Sequence, residues 1–282
     1  GNHRVNANAY NLGFVKLFYG ETGAYWLNEY EPEKNAHSGG FGWLIDGDTV
    51  LIDRDEYAPE GADWERIFGM GFFRKRLGAS GLFLERSIVA PGDREGPYLL
   101  SSVSIYNDSD HLKEITLIEY WDVNLRLIDD FLLWGGLADQ GRDYRMEVEL
   151  EGPALKAVPR VRPPAGQAPR KPTLVYPYLP SVFLASPLRD PDAWIISPQE
   201  LFENGQPIKD PEKLRRAGVE NPRAAALNQD KICLAARFTL RIPAGEGIEL
   251  IFAYGYQNPF ELDKKDFFAA LQKELAGVQA VS

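Results

Sequence analysis

The stretch Gly96-Pro97-Tyr98-Leu99-Leu100-Ser101-Ser102-Val103-Ser104-Ile105-Tyr106-Asn107-Asp108-Ser109-Asp110, continued to Glu119-Tyr120-Trp121-Asp122-Val123-Asn124, decides the fold. Val103 and Ile105 alternate with Ser102 and Ser104, and Ile115 and Leu117 with Glu114 and Thr116. A period of two marks half-buried antiparallel strands, here expected as a hairpin across the Asn-Asp-Ser-Asp turn. The second strand, residues 113–123, ends on two carboxylates and two amphipathic aromatics.

Strand patterns continue on both sides of this pair. Residues 14–19, 24–27, 42–45, 49–52, 72–77 and 82–89 read as strands, with Asp46-Gly47-Asp48 and Gly78-Ala79-Ser80-Gly81 as turns. Residues 144–150, 174–178, 182–185, 231–242 and 248–256 follow. Many short strands at close spacing predict an all-β sandwich, not a parallel sheet. Helix is scarce. Asp210 is placed to cap a short helix opened by Pro211. Asp263 is placed to cap a second one, with Phe267, Phe268, Leu271 and Leu275 on one stripe and Gly277 as its stop. Eight prolines between Gly152 and Pro180 exclude a helix or central strand there and predict a long loop. The expected division is one β domain over residues 1–260, interrupted by this loop near 152–180, and the start of a helical linker over 261–282.

Composition narrows the function. The chain has 282 residues, 44% of them hydrophobic, enough for a substantial core. A net charge of -10 argues against nucleic acid or an anionic membrane as partner. No apolar run reaches the length of a membrane span. The single cysteine, Cys233 between Ile232 and Leu234, reads as a buried strand residue and fits a reducing, cytoplasmic setting. Gly1 in place of Met reads as a tag scar or an excised piece.

No metal or cofactor site is expected. His3, His37 and His111 lie far apart in sequence, and no phosphate loop or Gly-x-Ser-x-Gly elbow occurs. Asp46, Asp48, Asp53 and Asp55 offer oxygen ligands for calcium, but turn chemistry around Gly47 accounts for the first two. Paired carboxylates are the remaining enzymatic option, with candidates at Asp53, Asp55 and Glu56, at Glu119 and Asp122, and at Asp129 and Asp130. Aromatics add a sugar-binding option, since rings pack on the C–H faces of a sugar while acids and amides bond its hydroxyls. Tyr25-Trp26, Tyr57 with Trp64, Tyr120-Trp121-Asp122 and Trp134 qualify; at alternating strand positions the ordinary role of such rings is core packing. The carbohydrate contacts put forward are Trp121, Asp122, Glu119, Tyr57 and Trp64.

Three segments carry a family resemblance: Ile88-Val89-Ala90-Pro91-Gly92-Asp93, Val103-Ser104-Ile105-Tyr106-Asn107-Asp108-Ser109, and Glu119-Tyr120-Trp121-Asp122. Together they resemble the N-terminal β-domain of the cellobiose-phosphorylase-like glycoside hydrolases, once classed as glycosyltransferases. Phe202-Glu203-Asn204-Gly205 and the run from Asp230 through Pro243-Ala244-Gly245-Glu246 to Gly255 are similar too. The resemblance implies a galactose-mutarotase-like supersandwich of two large, mostly antiparallel sheets, followed in family members by a helical linker and a catalytic (α/α)6 barrel. This sequence stops at Ser282, before any barrel, so no catalytic residue is carried over. The expected role is a non-catalytic glycan-binding or assembly domain, partnered by an oligosaccharide and by a barrel in cis or in trans. Two alternatives stay open: a self-sufficient glycosidase or epimerase using acids in a sheet groove, and a structural module that forms a homodimer.

Overall fold

The structure, a computed structural model, describes residues 4–19, 25–91, 96–124, 126–127, 144–161, 180–222, 231–257, 268–269 and 271–273. Its centre is two antiparallel sheets packed face to face. The larger has eight strands in the order β14 (Tyr144–Glu151), β15 (Ala154–Val161), β16 (Ser181–Ala185), β21 (Gly247–Gln257), β11 (Tyr98–Asn107), β10 (Leu82–Val89), β9 (Phe72–Ala79) and β8 (Asp63–Gly69). The smaller has five, in the order β17 (Ala193–Ile195), β20 (Cys233–Ile242), β12 (Lys113–Asp122), β6 (Gly39–Asp46) and β7 (Thr49–Ile52). A four-stranded sheet of β1 (Asn6–Ala9), β2 (Val15–Tyr19), β3 (Tyr25–Trp26) and β13 (Arg126–Leu127) packs beside them. Two short ribbons, β4 (Tyr30–Glu31) with β5 (Ala36–His37) and β18 (Phe202–Glu203) with β19 (Gln206–Pro207), complete the strands. The expected all-β sandwich of two large antiparallel sheets is therefore observed.

The two strands of the deciding stretch do not form the hairpin expected. β11 pairs with β10 and β21 in the large sheet, whereas β12 pairs with β20 and β6 in the small one. Residues 108–112 thus form an arch from one sheet to the other. The connection from β20 to β21 makes the same crossing beside it, since β20 pairs along all of β12 and β21 along most of β11. Asn107 ties the two arches together. Its buried amide Nδ2 donates to the carbonyls of Ile242 (2.9 Å), Pro243 (3.1 Å) and His111 (2.8 Å), and its Oδ1 accepts from Ser109 N (3.0 Å). The bonds to Ile242 and Pro243 hold this arch against the neighbouring crossover, and those to Ser109 and His111 shape the turn itself.

The main core lies between the sheets, with Leu84, Val103, Ile105, Ile115, Leu117, Leu240 and Phe252 among its members. A second cluster, including Phe41, Trp43, Ile118, Tyr120, Phe202 and Leu214, covers the far face of the small sheet. This explains why β12 is buried on both faces from Ile115 onward. A third cluster seats Phe268 and Leu271 on Phe183, Ala185 and Ala253, on the outer face of the large sheet.

The proline-rich segment needs a correction. Residues 154–161 are strand β15, and its first four residues are central, paired with β14 on one side and β16 on the other. Pro159 sits opposite Met146 beyond the last residue paired to β16, where no second neighbour asks for its missing N–H. Residues 162–179, including the expected strand at 174–178, lie outside the described residues. The short helix, α1 (Pro211–Arg216), forms as expected, with Asp210 accepting from Glu212 N and Lys213 N. Of the second expected helix, Phe268 and Leu271 are described, both helical and buried; Asp263, Phe267, Leu275 and Gly277 are outside the described residues.

Candidate functional site

The open part of the large sheet's outer face carries the most ligand-like surface. Strand register places its outward residues in rows. Asp63, Gly78, Phe83, Tyr106 and Gly247 are consecutive cross-strand partners over five strands; Glu65, Arg76, Glu85, Ser104 and Glu249 form the next row. A row of aromatics and glycines therefore adjoins a row of hydrogen-bonding groups, about 7 Å away along the strands. A groove of about 480 Å³ follows both rows. Phe83 and Tyr106 are 45% and 43% exposed, unlike Tyr98, the other ring of β10 and β11, which is buried. Glycines keep these rings low: a Cβ at Gly78 would meet the Phe83 ring at 2.7 and 2.9 Å. Arg76 bonds Glu85 (2.5 Å) and Glu65 (3.0 Å), which fixes the polar row in place. A larger groove of about 730 Å³ lies beside α1, but its one aromatic, Phe202, is turned into the core.

Behind this face, in the space between the sheets, sits a buried charged network. Arg86, inward on β10, donates from Nε to Asp53 Oδ2 (2.6 Å) and from Nη1 to Ser101 Oγ (2.9 Å) and Glu119. Lys75 donates to the carbonyls of Gly13 (2.7 Å) and Asp53 (2.5 Å) and lies 3.3 Å from the Asp53 carboxylate. Burial pulls the Lys75 ammonium down to about 7 against the attraction of Asp53, and pushes the Glu119 carboxyl up against that of Arg86. Two cations facing two carboxylates, each tied to further groups, make a structural cross-brace between the sheets.

The sequence-selected residues divide between this brace and the core, and that corrects the expectation for three of them. Trp121, Glu119 and Asp122 are fully buried, so none meets a ligand at the surface. The Trp121 ring stacks on Tyr254 at 4.2 Å and donates its indole N–H to Glu119 (2.8 Å). Gly39 lies directly under that ring, where any Cβ would collide with it. Asp122 has Lys231 as its cation at 3.2 Å, and burial raises its carboxyl to about 7. Tyr57 and Trp64 are half-buried and belong to different clusters: Tyr57 packs on the far-face cluster beneath the Arg54 guanidinium, and Trp64 faces inward from β8. The five do not form one site. Trp26 lies under the Lys16 ammonium at 4.1 Å, and Trp134, Asp129 and Asp130 are outside the described residues. His37 is stacked on Phe202 at 3.5 Å, with burial holding its imidazole down to about 3. Cys233 is buried, as expected, and no His, Cys, Asp and Glu grouping suited to a metal occurs among the described residues.

Phe83 and Tyr106 are absent from the contacts put forward from sequence, though a signal for them exists there. Each is a large ring on a strand face whose next two positions are polar, Glu85 and Ser87 on β10 and Ser104 and Ser102 on β11, before Val89 and Leu100 return it to apolar at the far end.

No protein-family model and no curated protein matches the sequence. Among solved structures, the fold is similar to that of a protein described as a kojibiose phosphorylase from human microbiome, with a TM-score of 0.51 at 11% identity. That match covers 98% of this chain and 32% of the other, so the chain spans about a third of that protein's length. A polysaccharide lyase follows at a TM-score of 0.48 and 11% identity, covering 92% of this chain and 33% of its own. A galactose mutarotase related enzyme from Lactobacillus acidophilus has a TM-score of 0.47 at 8% identity, covering 91% and 96%. No helix among the described residues is long and apolar enough to cross a membrane.

Proposed function

We propose that this chain is the β-supersandwich domain of a cellobiose-phosphorylase-like carbohydrate-active protein and that it binds a glycan on the outer face of its large sheet. In this reading a catalytic (α/α)6 barrel, in cis or in trans, supplies the chemistry, and the sandwich holds the saccharide near it. The observation that carries the reading is the pair of exposed rings, Phe83 and Tyr106, beside the Glu65–Arg76–Glu85–Ser104–Glu249 row. Rings flush with a sheet offer flat apolar surface to sugar C–H faces, and the adjoining carboxylates, guanidinium and hydroxyl match the hydroxyl rim. The fold shared with a kojibiose phosphorylase supports the sugar class.

A glycan array tests this directly. Wild-type protein is expected to bind a subset of oligosaccharides, and Phe83→Ala with Tyr106→Ala to abolish the signal without unfolding the domain. Silence across the array would refute it. A second reading, a self-sufficient glycosidase or epimerase, draws on the carboxylates Asp63, Glu85 and Glu249 that line the same groove. Turnover that disappears in Glu85→Gln or Glu249→Gln would favour it over binding alone.

A further inference from the structure

The register of the outer face also bears on how a saccharide would lie there. Phe83 and Tyr106 are direct cross-strand partners, yet their rings lean apart. Phe83 folds onto Gly78 of β9, while Tyr106 lies 3.6 Å from where a Cβ of Gly247 on β21 would be, with its hydroxyl 4.0 Å from that of Gly245. Each ring is displaced toward its outer neighbouring strand, leaving a strip of backbone between them. At ordinary strand spacing the two rings are separated by about 10 Å. The groove itself crosses five strands, from Asp63 on β8 to Glu249 on β21, or about 19 Å, but spans only two rows along them. Its long axis is perpendicular to the strands.

Charge narrows the class of sugar. Arg76, the cation of the groove, is already engaged by Glu65 and Glu85. The carboxylates of Asp63 and Glu249, at the two ends, have no ionic or hydrogen-bonding partner among the described residues. They are free to accept from hydroxyls, and they oppose a ligand carboxylate.

Resting on the glycan reading above, we propose that the groove takes an uncharged oligosaccharide of three or four residues laid across the strands. One sugar stacks on Phe83 and the next but one on Tyr106, with hydroxyl edges over Glu85 and Ser104. A chain of uronic acids is rejected, because its carboxylates would face Asp63 and Glu249 with no uncommitted cation to receive them.

Calorimetric titration with malto- and cello-oligosaccharides of one to five residues, and with oligogalacturonates of matched length, tests each part. In at least one neutral series, affinity is expected to climb about tenfold or more from monosaccharide to trisaccharide and to level off by four residues. Phe83→Ala and Tyr106→Ala should each weaken trisaccharide binding about tenfold and flatten the length dependence, with circular dichroism unchanged because both rings stand at the surface. Asp63→Asn combined with Glu249→Gln should raise oligogalacturonate binding at low salt. Wild-type preference for oligogalacturonate, equal affinity for one and three residues, or indifference to both ring substitutions would overturn the proposal. So would binding of none of the three series; the broader glycan reading falls only if the full array is silent as well.

Discussion

Replacing Arg86 by methionine removes the hub of the cross-brace while keeping most of its volume. Arg86 is fully buried and serves Asp53, Ser101 and Glu119 at once. Without it, two carboxylates remain in the space between the sheets with Lys75 as their only near cation among the described residues. Breaking a buried pair on one side costs about 3–5 kcal/mol, because the abandoned charge stays buried. For a domain of this size that lowers the melting temperature by roughly 5–8 °C. The defect should also depend on pH. Burial already raises the Glu119 carboxyl, and losing Arg86 removes the main influence holding it down. A carboxyl raised in the folded state favours folding at low pH and loses that advantage as pH rises through its folded value. Arg86→Met should therefore be less damaging at pH 5 than at pH 8, and adding Glu119→Gln should recover part of the loss at pH 8. Urea unfolding of the wild type, the single and the double variant at both pH values gives the comparison. A cost below about 1 kcal/mol, or one identical at pH 5 and 8, would refute the assignment of this network as a charged structural brace.

Asn107→Ala should cost about 2–4 kcal/mol in urea unfolding, since the buried carbonyl of Ile242 and its neighbours lose their donor; a cost within error of zero would remove Asn107 as the arch clamp. Trp121→Ala should destabilise by about 3–5 kcal/mol while the folded fraction keeps its glycan affinity; lost binding in a folded variant would return Trp121 to the site. Asp122, its carboxyl raised to about 7 by burial, penalises folding progressively as pH rises from about 4 to 7, so Asp122→Asn should gain stability relative to wild type across that window. A wild-type minus variant difference that is flat with pH would show the carboxyl to be fully compensated by Lys231.

Much of the sandwich is legible locally because half-buried strands must alternate. The pattern at Leu82–Val89, the Asp46-Gly47-Asp48 turn and the Asp210 cap all act within a few residues, and each appears where expected. The arch at residues 108–112 is different. Its local signals are those of a hairpin, and only the presence of β20 and β21 beside it supplies better partners to both strands. β15 was hidden for a related reason: a proline is tolerable in a strand whose other edge is unpaired at that position, and pairing is a long-range fact.

Fold class, the scarcity of helix, the lone buried cysteine and the concentration of aromatics and acids at residues 119–122 are all readable from local pattern and composition. The tertiary structure decided where those aromatics and acids point. With cores on both faces of the small sheet, Glu119, Tyr120, Trp121 and Asp122 are enclosed whichever way they face, and their chemistry becomes bracing and packing. Phe83 and Tyr106 stand on a face that Phe268 and Leu271 cover over β16 and β21 and that, among the described residues, is open over β8 to β11. Alternation tells which residues share a face; only packing tells which face meets solvent, because burial depends on what the rest of the chain lays over it.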